Sequence, residues 1–347
     1  MKVAVIEGRV PTLMEEGPVV ERQVLGPSVD VSWHGILDPT EYGPVLGEAD
    51  AVILRSITPF PDAMVRALTR GRVIVTLGVG YDQVGLEAAK AREIPVCNVP
   101  DYGTEEVADA TMAMLLAHQR KLLLFRHRFD LEALTWDWRL HRPVRRSRSL
   151  QAGIIGLGRI GTAVALRLKA FGHAVVFYDP YVSRGVEKAL GVDRLHDLES
   201  LLRSADIVTV HTPLTSETAG LIDDRFFSLL KPQAIVLNTA RGGIFKHVDT
   251  LERWLRERTE LRIGTDVWPE EPPARHPLVT AWKQGEGWLG DRLILTPHAA
   301  FYSEESVRDM RASAASIVKT VLEGGRPYNV VNGVTGGDGH HLLRSRR

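Results

Sequence analysis

The sequence of 347 residues contains only one cysteine, Cys97. An internal disulfide needs two cysteines and a cysteine-based metal cage needs several, so the composition excludes both. Structural disulfides are a feature of oxidising compartments, and a chain without them fits a reducing one. We therefore expect a cytoplasmic protein that holds no metal ion.

An excess of charge of one sign is also missing, because 43 Lys and Arg residues balance 43 Asp and Glu residues. A neutral chain has no net field that would attract nucleic acid or an anionic membrane surface. One local cluster of basic side chains is interpreted as a solvated loop or as an arm that lies on a partner subunit. It consists of Arg142, Arg145, Arg146 and Arg148.

Long apolar runs are absent as well, since none reaches the roughly 18 residues that a membrane-spanning helix needs. Residues 1–8 lack the apolar core and the small-residue cleavage pattern of a signal peptide. We expect a soluble, unexported protein that has no membrane partner.

The sequence does have a regular alternation of short apolar runs with helix-compatible stretches, which is typical of parallel sheets covered by helices. Its length and its 44% hydrophobic residues predict two globular domains. Strands are predicted at 2–7, 50–55, 72–77, 152–155, 174–178, 207–211, 234–238, 262–265 and 293–296. Helices are predicted within 60–69, 104–124 and 303–322, and the Gly-rich end at 333–347 is predicted to be disordered.

A glycine motif follows the apolar strand at 152–155 and opens a helical pattern. It consists of Gly156, Leu157, Gly158, Arg159, Ile160 and Gly161. The first glycine permits a tight turn, the second admits a pyrophosphate to the backbone, and the third lets helix and strand approach closely. A pyrophosphate there would meet the unpaired amides of a helix start. The motif in this context predicts a dinucleotide site.

Asp179 ends the next apolar strand, at the distance along the chain where an acidic group meets the adenosine ribose hydroxyls. A carboxylate at this position also repels the 2′-phosphate that distinguishes NADP from NAD. The sequence therefore predicts NAD (NADH) as the cofactor, while Arg184 keeps NADP open as the alternative.

Three further segments resemble the D-isomer-specific 2-hydroxyacid dehydrogenase family, and the resemblance runs through nearly the whole chain. They are Leu-Asn-Thr-Ala-Arg-Gly-Gly at 237–243, Asp-Val-Trp-Pro-Glu-Glu-Pro at 266–272 and Thr-Pro-His-Ala-Ala at 296–300. Within the family, the chain most resembles the C-terminal-binding proteins, through segments 97–100, 169–172, 177–181 and 298–304. Phe301 stands where those relatives usually carry a tryptophan facing the substrate, which predicts an altered substrate pocket.

The resemblance implies an NAD-dependent dehydrogenase that moves a hydride between NAD(H) and a small D-2-hydroxy or 2-keto acid. His298 would be the acid or base, because imidazole titrates near working pH. Glu271 would accept a hydrogen bond from its other ring nitrogen and favour the proton-donating form. Arg241 would pair with the substrate carboxylate, for which its planar fork is suited.

Further contacts are implied by the same resemblance. The backbone amides of Gly78, Val79 and Gly80 would help to hold the substrate carboxylate. Arg55 would face the substrate and bind a second anionic group on it; the alternative is that Arg55 forms a surface ion pair. Asp266 would orient the nicotinamide carboxamide. The remaining cofactor contacts would come from Thr212, Pro213, Thr239 and Ala240.

The implied architecture is α/β, with two Rossmann-like or flavodoxin-like domains. A doubly wound parallel-sheet NAD-binding domain, residues 103–298, would be inserted into a smaller, discontinuous substrate domain formed by residues 1–102 and 299–332. The helix beginning near Thr104 and the arm from Trp136 to Arg148 resemble the family's dimer contact. We therefore expect a homodimer formed through residues 104–148.

Two other functions remain open at this stage. C-terminal-binding proteins act as NAD-sensing transcriptional co-repressors, although the short tail of this chain favours a metabolic enzyme. Phosphite or formate oxidation occurs on the same scaffold, but formate enzymes place glutamine where Glu271 stands. Glu271 therefore argues against formate as the substrate, while phosphite oxidation remains the less favoured alternative.

Overall fold

The computed structural model describes residues 1–8, 16–35, 42–55, 58–124, 137–273 and 275–335. Trp136 of the predicted arm and residues 336–347 of the predicted tail lie outside the described residues. The chain divides into two compact units, Met1–Gly103 with Ser303–Arg347 and Thr104–Tyr302. One unit is thus discontinuous in sequence. The roles predicted for the two domains remain predictions.

The first unit contains a five-stranded sheet whose neighbouring strands are all parallel. Its strand order, β2-β1-β3-β4-β5, is the doubly wound order of flavodoxin-like domains. The elements up to residue 97 are β1 (Lys2–Ile6), α1 (Val19–Leu25), β2 (Asp30–His34), α2 (Tyr42–Glu48), β3 (Ala51–Arg55), α3 (Asp62–Ala67), β4 (Val73–Leu77), α4 (Leu86–Ala91) and β5 (Val96–Cys97).

The second unit contains a seven-stranded parallel sheet in the order β12-β11-β10-β9-β6-β7-β8. Its elements are α5 (Thr104–Gln119), β6 (Gln151–Ile155), α6 (Arg159–Ala170), β7 (Ala174–Tyr178), α7 (Val186–Leu190), β8 (Asp193–Arg194), α8 (Leu198–Ser204), β9 (Ile207–Val210), α9 (Asp224–Leu229), β10 (Ile235–Asn238), α10 (Val248–Glu257), β11 (Arg262–Thr265), α11 (Pro277–Gln284) and β12 (Leu293–Leu295). This is a Rossmann order that reverses between β6 and β9.

After the second unit, the chain returns to the first through a last helix, α12 (Glu304–Leu322). Ser303 and Ser306 close its start with reciprocal hydrogen bonds, which satisfy two amides that the helix itself leaves unpaired. Arg311 of this helix forms two hydrogen bonds, at 2.9 and 2.7 Å, with the buried carboxylate of Glu21 in α1. The two helices are therefore joined on one face of the five-stranded sheet.

Both sheets are covered on both faces, and this explains why their strands are apolar at successive positions. In β1, Val3 packs with α12 while Ala4 packs with the helices on the opposite face. In the same way, Ile154 and Ile155 of β6 belong to cores on opposite faces of the seven-stranded sheet. The predicted α/β fold class is confirmed.

Several predicted elements need correction. Six strands were expected in the second unit, but β8 adds a seventh, and β2 and β5 were not predicted in the first. β8 and β5 have only two residues each, too short for a periodic pattern, and β2 begins and ends with the polar residues Asp30 and His34. Helix α5 ends at Gln119 rather than at 124, because Lys121 takes a left-handed conformation with φ 50°.

None of the helices in the part of the chain that the structure describes combines the length and the apolar composition of a membrane-spanning helix. Nor does that part of the chain bring together a group of three or more His, Cys, Asp or Glu side chains that could hold a metal ion.

Candidate active site

The glycine motif lies at the carboxyl end of β6, where the strand order of the seven-stranded sheet reverses. Gly156 has φ 89°, a conformation that side chains rarely adopt. A Cβ at Gly161 would lie 2.1 Å from the carbonyl oxygen of Gly156, so the turn and the helix approach as only glycine permits. A Cβ at Gly158 would meet open space. The backbone there is accessible to a ligand.

Helix α6 begins with Arg159 and Ile160, directly after Gly158. The helix starts without a side-chain cap, so its first amide groups have no capping partner from Gly158. These amides and the positive end of a 12-residue helix suit the negative charge of a pyrophosphate.

The carboxylate of Asp179 lies beside this turn. Its Oδ2 accepts a hydrogen bond of 2.8 Å from the amide of Leu157, which ties the end of β7 to the glycine motif. Its Oδ1 accepts from the amides of Tyr181 and Val182 at 2.8 and 3.1 Å. The side chain is therefore fixed by the backbone on both sides.

Across the switch point, Thr212 and Pro213 follow β9. A Cβ on Gly156 would lie 2.8 Å from Cγ2 of Thr212, so the two segments are in close contact. Among the described residues, the buried hydroxyl of Thr212 has no hydrogen-bond partner. Next to an open helix start, an unpartnered buried hydroxyl fits a polar ligand such as a dinucleotide.

Arg241 follows β10, in a loop that the sequence shapes locally. The side chain of Asn238 accepts from the amide of Ala240 and donates to the carbonyl of Arg241, each at 3.0 Å. Thr239 is buried, and its hydroxyl contacts that of Thr111 at 3.0 Å. Nη1 of Arg241 donates to the carbonyl of Ala240 at 2.7 Å. Hydrogen bonds between its own side chains and backbone therefore hold this loop in place.

Gly242 brings this loop against the one that follows β11. A Cβ at Gly242 would lie 1.9 Å from the carbonyl oxygen of Trp268, so no side chain fits there. The amide of Trp268 donates at 2.9 Å to Oε1 of Glu271. The close approach explains how the charge of Arg241 comes near the carboxylate of Glu271.

Glu271 and His298 form a hydrogen-bonded pair, with 2.7 Å between Oε2 and Nδ1. Burial raises the pKa of Glu271, but the hydrogen bond and charge of His298, the amide of Trp268 and the charge of Arg241 lower it more. The net pKa of Glu271 lies below its ordinary value of 4.5, so this carboxylate is ionised at neutral pH.

His298 has φ 53°, which is uncommon for a residue with a side chain. Buried Asp266 holds this conformation: its carbonyl accepts from the amide of His298 at 2.7 Å. Its carboxylate accepts from the hydroxyl of Thr296 at 2.6 Å and from the amides of Ala299 and Ala300 at 2.8 and 2.9 Å. Such strain is often found at functional sites.

The structure therefore brings Arg241, Glu271 and His298 together on loops that follow three neighbouring strands, β10, β11 and β12. Phe301 also belongs to this site, because its ring lies edge-on to that of His298, with 6.4 Å between the centroids. The cofactor contact predicted for Asp266 remains a prediction. Its hold on the 296–300 loop was missed, although a buried acid after a strand is a signal for such a role.

The other predicted substrate residues lie in the first unit, at the carboxyl ends of its strands. Arg55 ends β3 and is only 9% exposed; burial lowers its pKa, against the charges of Glu7 and Tyr102. Gly78, with φ 130°, and Gly80 follow β4, and their carbonyls accept from the hydroxyl of Thr76. The amide group of Asn98 donates to the carbonyl of Val79 at 2.8 Å.

Fold and site together define a dinucleotide-binding α/β protein with a histidine–carboxylate pair and a nearby arginine. Residues 112–300 match the family model described as "D-isomer specific 2-hydroxyacid dehydrogenase, NAD binding domain". The chain belongs to the D-isomer-specific 2-hydroxyacid dehydrogenase family, as the sequence predicted. NAD as the cofactor is likewise confirmed. The closer resemblance to C-terminal-binding proteins remains a prediction.

Individual relatives agree with the family assignment. The chain is 35% identical over 285 residues to D-3-phosphoglycerate dehydrogenase of Methanocaldococcus jannaschii, covering 82% of this chain and 52% of that protein. It thus spans about half the length of the curated relatives it matches.

Two solved structures are similar over most of their length. D-lactate dehydrogenase of Aquifex aeolicus, in complex with NAD and lactic acid, is 27% identical with a TM-score of 0.78, covering 92% of this chain and 96% of that one. The TT0316 protein of Thermus thermophilus is 31% identical with a TM-score of 0.79, covering 95% of this chain and 100% of that one.

Proposed function

We propose that this protein is an NAD-dependent oxidoreductase that interconverts a small D-2-hydroxy acid and its 2-keto acid. One observation carries the proposal: the 2.7 Å pair of Glu271 and His298 lies on loops at the same sheet edge as the glycine turn. That edge is where doubly wound sheets bind their ligands. The family assignment supports an oxidoreductase of this class.

The reaction needs a proton donor or acceptor beside the carbon that is reduced or oxidised. Bound NADH or NAD supplies or takes up the hydride. His298 gives the proton to the carbonyl oxygen during reduction and removes it from the hydroxyl during oxidation. Because Nδ1 is bound to Glu271, Nε2 is the ring nitrogen that exchanges this proton. Glu271 orients the ring and stabilises its protonated form.

Arg241 anchors the substrate carboxylate in this proposal. Its guanidinium is a planar fork that matches the two oxygens of a carboxylate, and the bond from Nη1 to the carbonyl of Ala240 restrains its direction. The same positive charge polarises the adjacent carbonyl group. The substrate is therefore expected to be an acid whose carboxylate is next to the reacting carbon.

The remaining assignments are part of the same proposal. The cofactor would be held by Gly156, Gly158, Arg159, Ile160, Gly161, Asp179, Thr212, Pro213, Thr239, Ala240 and Asp266. Arg55, Gly78, Val79, Gly80 and Phe301 would contribute substrate contacts. We also propose that the protein forms a homodimer through residues 104–148.

The test is NADH oxidation by the purified protein with a panel of 2-keto acids. The panel includes pyruvate and 3-phosphohydroxypyruvate, the keto acids that correspond to the substrates named for two relatives. At least one keto acid should be reduced, and Arg241→Met should abolish the activity. If none is reduced while phosphite is oxidised with NAD, the protein is a phosphite dehydrogenase instead. If neither reaction occurs, the proposal fails.

A further inference from the structure

Arg194 is a partly buried cation next to the loop that carries Asp179, outside the residues of the proposed active site. It forms the end of the short edge strand β8, where Phe177 of β7 is its partner in the sheet. Its side chain is only 12% exposed, a burial that arginines adopt when their charge is paired. The guanidinium lies 4.7 Å from the centroid of the Phe177 ring.

The guanidinium of Arg194 reaches both ends of the loop 179–183. Nη1 donates to the carbonyl of Asp179 at 3.1 Å, and Nη2 donates to the carbonyl of Ser183 at 2.9 Å. Nη2 and Nε also donate to Oε2 of Glu187 at 2.9 and 3.3 Å. Most N–H donors of the guanidinium are therefore engaged within the protein.

The carboxylate of Glu187 is ionised where it meets Arg194. Hydrogen bonds from its own amide, from Arg194 and from Gly185 lower the pKa of Glu187 to about 2. Glu187 is therefore ionised at neutral pH, where it faces the guanidinium of Arg194 at 2.9 Å. Because the pair is compensated, Arg194 offers no unpaired positive charge to a phosphate group.

We propose that Arg194 is a positioning residue that sets the preference for NAD over NADP. Arg194 donates hydrogen bonds to the carbonyls of Asp179 and Ser183 and so fixes the loop 179–183. This loop carries the carboxylate of Asp179, which meets the adenosine ribose. This inference rests on the proposed function of Asp179. Substitution of Arg194 removes two of the hydrogen bonds that hold this loop, so the carboxylate is placed less accurately to accept from the ribose hydroxyls and to exclude a 2′-phosphate.

The experiment measures the dissociation constants of NADH and NADPH by fluorescence titration of wild type, Arg194→Met and Arg194→Lys. Arg194→Met should weaken NADH binding by about tenfold, equal to about 1.4 kcal/mol, and should leave NADPH binding equal to or stronger than that of the wild type. Arg194→Lys should behave like Arg194→Met, because one ammonium group cannot bridge two carbonyls. A wild-type-like lysine variant would mean that the charge itself acts, and would overturn the positioning role.

Arg203→Met is the matched control, since this exposed arginine lies in α8, outside the loop 179–183; it should leave the NADH to NADPH ratio unchanged. If Arg194→Met lowered the affinities for NADH and NADPH by the same factor, the role of Arg194 would be merely structural, and the inference would be overturned. If Arg194→Met does not fold, Glu187→Gln tests the same contact and should lower the ratio in the same direction.

Asp179→Ala separates this inference from the proposal on which it rests. If Asp179→Ala lowers the NADH preference and Arg194→Met does not, only the inference about Arg194 fails. If Asp179→Ala leaves the preference unchanged, the proposed role of Asp179 fails, and that of Arg194 fails with it.

Discussion

Replacement of Glu271 by glutamine tests the proposed proton-transfer pair, Glu271 and His298, while it preserves the shape of the side chain. Glu271 accepts from Trp268 with one oxygen and from His298 with the other. Glutamine has a single side-chain oxygen, so it cannot accept both bonds. If that oxygen still accepts from the backbone amide of Trp268, the side-chain NH2 group of the glutamine faces Nδ1 of His298. Because this NH2 group is a donor, Nδ1 must be unprotonated to accept its hydrogen bond. The protonated imidazole is then disfavoured.

The size of the effect follows from the separation of the two charges. Unit charges about 4 Å apart attract by roughly 1 kcal/mol in water and roughly 4 kcal/mol at an effective dielectric constant of about 20. The side chains of His298 and Glu271 are 29% and 31% exposed, so the attraction between their charges lies between these two energies. A loss of about 2.7 kcal/mol corresponds to about a hundredfold lower kcat for reduction of the keto acid.

The assay compares kcat for keto-acid reduction and the dissociation constant of NADH in wild type and Glu271→Gln. Glu270→Gln is the matched control, because Glu270 is the exposed neighbour and has the same chemistry. We expect the control to keep wild-type kcat and both variants to bind NADH normally. A Glu271→Gln enzyme with kcat within about twofold of wild type would refute the argument, since such a change is far below the worked value.

Three further predictions concern other residues. Arg241→Lys should raise KM and lower kcat together in steady-state assays, because a point charge cannot replace the two-pronged contact; a change confined to cofactor affinity would contradict this. Gly242→Ala should lower the free energy of unfolding by about 1–3 kcal/mol in urea titrations, because its Cβ would overlap Trp268. Burial, aided by a nearby arginine, lowers the pKa of His118 from 6.5 to about 4, so His118 by itself should lower the free energy of unfolding by about 1.4 kcal/mol for each pH unit of acidification between these values. Buried His211, whose pKa is lowered to about 3, should add a similar slope. His118→Leu should therefore reduce the total slope by about 1.4 kcal/mol per pH unit, and exposed His247→Gln should leave it unchanged.

The glycine motif and the strand-end residues were predictable because each depends on local chemistry. Gly156, Gly158 and Gly161 have fixed spacing. Gly156 has the positive φ and Gly161 the close approach that their positions predict, and the space next to Gly158 is open, as access for a pyrophosphate requires. Polar residues directly after apolar strands meet at one sheet edge, so the proximity of Glu271 and His298 follows from the parallel topology.

Contacts between segments far apart in sequence were not predictable. An acid directly after a strand marks Asp266 as a residue that could hold a loop, but its position in the sequence does not show that both its oxygens accept hydrogen bonds from the 296–300 loop. Arg194 lies in a two-residue strand without apolar periodicity, so neither the strand nor its contacts with the loop 179–183 left a signal. The early end of α5 depends on one residue, Lys121, whose left-handed conformation is not encoded by its type.

The most direct test of the central claim is the rate of NADH oxidation by His298→Gln with a keto acid that the wild type reduces. The account predicts that the variant binds NADH as the wild type does, while the rate falls at least about a hundredfold. An unchanged rate with intact NADH binding would show that His298 does not transfer the proton.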